Sequence, residues 1–120
     1  MDINYEEIKI PIVKTLYETI LYTTPIILNL PKPIKFSYGE TILQNLALVI
    51  DLANEANIEL KLIKERQIVK AHAKIETTKI FVRILSEGKY ISIEEYIKIS
   101  KYLVDTSKML YGWLQASKKN

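Results

Sequence analysis

"IVKAHAKIETTKIFVRIL", Ile68 to Leu85, decides the fold. Ile68, Ala71, Ile75, Thr78, Val82 and Leu85 recur at spacings of 3, 4, 3, 4 and 3. That interval keeps them on one side of an α-helix, whereas a strand would need period two. A narrow stripe of this kind is the seam of helices that cross at shallow angles, so the stretch predicts one rod of a bundle.

Working outward, three further segments show helical periodicity, and each break between segments has its own chemistry. The first segment carries Ile8, Ile12, Leu16, Ile20 and Ile27 or Leu28 at helical spacing. Pro11 suits a first turn, and Pro25 removes a donor near the end. "LPKP", Leu30 to Pro33, stops it. The second segment opens with "SYGE", where Ser37 and Glu40 have the spacing of a capping box. Asn54 and Asn57 mark the next break, and Gly88 is a natural C-terminal stop for the third segment. "SIEE", Ser92 to Glu95, is a second capping box. It starts a helix in which Tyr96, Ser100, Leu103, Ser107, Leu110 and Leu114 alternate by 4 and 3, with Ile97, Val104 and Tyr111 alongside. The expected architecture is all-α, an antiparallel up-down four-helix bundle forming one domain over 1–120, with helices at about 5–29, 37–56, 59–87 and 92–118.

At 120 residues the chain buries roughly two-thirds of the surface its unfolded form exposes. It contains no cysteine, which excludes disulfides, thiolate metal sites and cysteine nucleophiles and fits an intracellular, cytoplasmic address. No signal peptide is visible, and the longest apolar run, Ile20 to Leu30, is broken by Thr23, Thr24, Pro25 and Asn29. It falls short of the about 20 apolar residues of a membrane span, so no membrane partner is expected.

The net charge of +3 hides an asymmetry. Residues 1–59 hold 4 Lys+Arg against 8 Asp+Glu, and residues 60–120 hold 13 against 6. A basic half suits a polyanion or an acidic protein surface, with an attraction that salt weakens. Arg66, Lys70 and Lys74, four apart, form one ridge away from the seam. Lys98, Lys101 and Lys108 are read as a second ridge opposite Ile97, Val104 and Tyr111, so that the two ridges flank one strip of phosphate backbone. These six are the candidate nucleic-acid contacts, and lysines favour phosphate over base reading.

From Thr41 to Asn54 the only charge is Asp51, and apolar residues point all round the axis. Such a helix needs cover all round, which implies a further buried face supplied by another copy or a partner. Leu43, Ala47 and Ile50 are the candidate positions on it. The fourth helix adds Tyr111, Gly112 and Trp113: a glycine inside a helix costs about 1 kcal/mol relative to alanine, and its missing side chain is read as letting the only tryptophan lie against a close-packed neighbour.

Catalytic chemistry is not visible. His72 is the single histidine and Val69 stands three before it, so the Glu-x-x-His pairs of a di-iron bundle are missing, and His72 reads as a surface or interface imidazole. Glu6 with Glu7 and Glu94 with Glu95 sit at helix starts, where negative charge is favoured without acid–base work. Gly39, Gly88 and Gly112 are too scattered for a phosphate loop, and no nucleophile elbow is present. Neither a metal nor an organic cofactor is expected, and the chain does not read as an enzyme.

"LPKPIKFSYGE", "FVRILSEGKYISIEEY" and "SKMLYGWLQASKK" together resemble the accessory variability determinant (Avd) family of diversity-generating retroelements, small four-helix-bundle proteins. The landmarks are Leu30, Pro31, Lys32, Lys35, Phe36, Gly39, Arg83, Leu85, Tyr90, Leu110, Gly112 and Trp113. They span most of the chain, and none is catalytic. The resemblance implies a homopentameric ring whose basic surface associates with a reverse transcriptase and with RNA or an RNA/DNA hybrid, supporting mutagenic copying without catalysing it. A related family, encoded in intervening sequences of bacterial large-subunit ribosomal RNA, shares the bundle and implies protein–protein interaction with no nucleic-acid contact. Its usual Ser-Ile-Pro-Ala-Asn-like helix start is not found here.

Overall fold

A computed structural model describes residues 8–119. It is all-helical: α1 (Pro11–Leu28), a single turn α2 (Lys32–Ile34), α3 (Glu40–Ile58), α4 (Lys61–Glu87) and α5 (Ile93–Lys119), with a π-helical turn Lys35–Gly39 joining α2 to α3. No strand occurs among the described residues. The four long helices close a bundle in which α3 packs on α4, α4 on α5, and α1 on both α3 and α5. Its longest dimension is 46 Å, close to the about 40 Å that a 27-residue helix spans.

The core forms where the four stripes meet. All six seam residues of α4, Ile68, Ala71, Ile75, Thr78, Val82 and Leu85, are buried. They pack with Leu16 of α1, Leu46 and Val49 of α3, and Leu103 and Leu110 of α5. Burying each large aliphatic side chain contributes about 1.5–3 kcal/mol before the entropy of ordering it is subtracted. Pairings at the rim fix the neighbours: Ser107 Oγ donates to Glu76 Oε1 at 2.9 Å, Ser117 Oγ to Glu65 at 3.3 Å, and Gln67 to Glu55. The rings of Tyr22 and Tyr102 lie 6.1 Å apart.

The helix ends depart from the sequence reading in instructive ways. Pro11 begins α1, later than the expected start near residue 5; residues 5–7 lie outside the described residues. Ser37 is not a cap. Pro33 is tolerated in the first turn of α2, where its missing N–H loses no bond, so the chain is already helical before Ser37 arrives. The Ser37 hydroxyl donates backwards to Pro33 O at 2.6 Å, and Glu40 accepts from Gln44 instead. Gly39 permits the turn to press on the end of α1, since a Cβ there would stand 2.8 Å from Ile27 Cγ2. The second break comes later than Asn57, at the extended pair Glu59 and Leu60.

At the end of α4, Gly88 keeps helical backbone angles and Lys89 takes the left-handed conformation, φ 62°. The bonds from Tyr90 N to Leu85 O and from Lys89 N to Ser86 O complete a Schellman turn one residue beyond the expected stop. Gly88 serves space instead: a Cβ there would meet the Tyr90 ring at 2.7 Å. The second capping box forms as read, with Glu95 N donating to Ser92 Oγ at 3.0 Å and Ser92 N to Glu95 Oε1 at 2.8 Å.

In α5 the buried arc is rotated from the expected seam. Leu103, Ser107 and Leu110 are buried, but so are Ile99 and Thr106, because α5 packs on α1 as well as on α4. Ile97, Val104 and Tyr111 are left exposed.

Two expected outcomes test these ends and this core. Lys89→Gly relieves an L-residue of the left-handed conformation and is expected to raise unfolding stability by about 1 kcal/mol, read from the urea midpoint at unchanged slope. Thr23 is 1 % exposed and its Oγ1 has no hydrogen-bond partner. Thr23→Val, similar in shape without the hydroxyl, is therefore expected to stabilise by about 1 kcal/mol; a loss of stability in the same titration would show that the hydroxyl is satisfied.

Candidate interaction surface

Because the seam claims one side of α4, apolar residues on the other side find no cover among the described residues. Leu62, Val69 and Ile80 face outward from α4, and Ile93, Ile97, Val104 and Tyr111 from α5. Leu62 is 72 % exposed, Val69 54 % and Tyr111 60 %. Val69, Tyr111 and Leu114 share a cleft with His72 in the groove between the two helices. Leu62, Val69 and Leu114 share the next one with Arg66, Lys70 and Lys118. The result is an apolar strip along the α4/α5 groove with basic residues at its edge, the pattern of a contact surface and not of scattered single exposures.

The six candidate cations are exposed, but they are arranged differently from the sequence reading. Lys101 stands four after Ile97 and three before Val104, and Lys108 four after Val104 and three before Tyr111. They are therefore interleaved with the apolar residues, not opposite them. Lys98 lies further round, its Nζ 4.4 Å from the ring centroid of Tyr22 on α1. On α4, Lys70 and Lys74 follow the row of Gln67, which bonds Glu55 of α3, and Phe81, whose ring is 5.8 Å from that of Tyr38. The two ridges thus diverge, one toward α3 and one toward α1, with the apolar strip between them. None of the six has an ion-pair partner among the described residues; the ion pairs there join Glu76 to His72 and Lys79, and Arg83 to Glu87.

Beside the groove, Glu76 collects a small network. A hydrogen bond from Lys79 at 2.9 Å holds its carboxyl below the usual carboxylate range, partial burial opposes this, and the Ser107 hydroxyl and His72 add to the lowering. Because the folded value is depressed, this contribution is fully present above the ordinary glutamate value and is lost as pH falls through the lowered one. His72, at 3.6 Å from Glu76, is a half-exposed groove residue, as its neighbours suggested.

The second-helix candidates lie elsewhere. Leu43 and Ile50 are half-buried against the core of their own chain and Ala47 is exposed. Flanked by α1 and α4, α3 turns outward only Gln44, Ala47, Leu48, Asp51, Asn54 and Glu55 in its middle turns, so most of its large apolar residues are covered without a second copy. Most of the exposed large apolar residues of the long helices belong to α4 and α5.

Gly112 is corrected too. A Cβ built on it would meet nothing within 4 Å, so none of the described helices of its own chain approaches it, and only the reading of a neighbour across a subunit boundary stays open. Trp113 is half-buried at one end of the bundle, with a cleft on either side. One, of about 310 Å³, is lined by Lys61, Lys64 and Ser117; the other, of about 500 Å³, by Lys9, Pro11, Asn57 and Met109. The start of α4 beside them has no side-chain cap and no acid in its first turn.

Among the described residues no group of three or more His, Cys, Asp and Glu is placed to hold a metal ion, and no helix is long and apolar enough to cross a membrane. A scan of protein-family models finds none that matches the chain, and a search of curated proteins finds no match.

Gly112→Ala tests how open that position is. Alanine gains about 1 kcal/mol of helix propensity there. The expected outcome is a higher urea midpoint; a lower one would reveal a close backbone approach that the open space denies.

Proposed function

We propose that this protein is a non-catalytic, oligomeric accessory scaffold that brings a reverse transcriptase together with RNA or an RNA/DNA hybrid, in the manner of the Avd family its landmarks resemble. The observation that carries the reading is the apolar strip on α4 and α5 with Arg66, Lys70 and Lys74 on one flank, Lys101 and Lys108 interleaved with it and Lys98 further round, none of them in an ion pair among the described residues. An apolar strip suits a protein, and free cations on diverging flanks suit phosphate, so the two kinds of partner need not compete for the same atoms. The bundle itself is read as antiparallel and up-down: positions 65 and 76 of α4 meet 117 and 107 of α5, and Thr15 of α1 meets Met109 while Tyr22 meets Tyr102. A homopentamer in the cytoplasm, the pentamer implied by the resemblance and the address by the absence of cysteine, would repeat the strip and its cations around a ring.

The divergence of the ridges favours a second reading, a purely structural protein-binding bundle of the ribosomal intervening-sequence type. RNA binding separates the two. For the scaffold, affinity for single-stranded RNA falls steeply with salt. Reversing Arg66, Lys70 and Lys74 to Glu is expected to reduce the slope of log affinity against log salt by about 2, since each phosphate that is no longer neutralised removes about 0.7. A folded protein that binds no RNA at low salt, or binds it equally well at all salt concentrations, would overturn the scaffold reading.

A further inference from the structure

We infer that the Trp113 end of the bundle is a single-stranded nucleic-acid site, in which a base stacks on the indole and its phosphates meet Lys61, Lys64 and Lys9. This rests on the nucleic-acid part of the function proposed above, and it places the contact at a position apart from the two lysine ridges.

Three observations converge on it. Trp113 lines two clefts at one end of the bundle and is half-buried, packing on the core while part of it stays open to solvent. Its indole N–H has no hydrogen-bond partner among the described residues, as expected of an aromatic that closes no interior network. The clefts differ in a way that suits a nucleotide. One is mostly apolar, between Ile10, Pro11 and Met109, with the Asn57 amide at its edge; the other presents Lys61 and Lys64. None of these lysines, nor Lys9, has an ion-pair partner among the described residues. Glu65 is the neighbouring acid on α4, and it already accepts from Ser117.

An aromatic face with cations set around it is the arrangement by which single strands are held without sequence preference. Every base offers a π-face, and the backbone offers charge at regular intervals. An acidic peptide would satisfy the lysines but would leave the indole without a planar partner.

Trp113 is the only tryptophan, so its emission reports on this site alone. The full chain is titrated with a short oligouridylate at low salt, following indole emission and, in parallel, the anisotropy of the same strand carrying a dye. The expected result is saturable quenching with the same midpoint as the anisotropy. Trp113→Leu should weaken binding about tenfold or more, and Trp113→Tyr should restore most of it. Because Trp113 also touches the core, Lys61→Glu with Lys64→Glu provides a variant that leaves the ring in place; it should weaken binding and flatten its salt dependence. Binding by anisotropy with unchanged emission and an unaffected lysine variant would overturn this site while leaving the proposed function standing. Equal quenching by polyglutamate would also overturn it. No binding at all would remove both.

Discussion

The α4 seam is the constraint on which the rest depends. Six residues from Ile68 to Leu85 are buried to within 2 % of complete, and they fix the rotation of a 27-residue helix about its own axis. Once that rotation is fixed, Leu62, Val69 and Ile80 are fixed on the outside. Turning them inward would bring Ile68, Ile75 and Val82 into water, three large aliphatic residues at about 1.5–3 kcal/mol each, so the chain keeps an apolar face exposed. The interaction surface is thus a consequence of the core, and no change to the strip can be made by rotating the helix.

How much of this is legible in the sequence differs from helix to helix, although each long helix packs on two others. The α4 seam is legible residue for residue, because a stripe spaced 3 and 4 has one face to bury. In α5 the same rule fails by a partial rotation. The buried arc there is offset from the 4-and-3 row, so Ile99 and Thr106 join the core while Ile97, Val104 and Tyr111 leave it. In α3 the error runs the other way: an apolar run that by itself calls for a second copy is covered by α1 and α4. Periodicity says which residues share a face, but not how wide the covered face is. The seven-residue interval of Ile97, Val104 and Tyr111 is the available signal for a second stripe.

The caps show the same limit at close range. Ser92 and Glu95 form their box, since nothing immediately before Ser92 is helical. Ser37 and Glu40 have the same spacing and form none, because Pro33 has already started the helix upstream and a π turn carries it through. Of the candidate site, the identity of the cations is legible and their arrangement is not: interleaving Lys101 and Lys108 with apolar residues gives a mixed face, and Lys98 is drawn aside by the Tyr22 ring. The Trp113 clefts are hidden because they are built from segments that meet only in the fold.

An exposed strip at the junction of two helices is costly to leave in water, and copies of the chain or a protein partner relieve it. The proposed scaffold requires that this strip drive association. Sedimentation equilibrium of the purified chain at micromolar concentration tests it most directly. The expected result is a mass several times the 13.9 kDa of one chain, falling toward that value when Val69 and Tyr111 are both changed to Asp. A single 13.9 kDa species for the unaltered protein across the whole concentration range would contradict it.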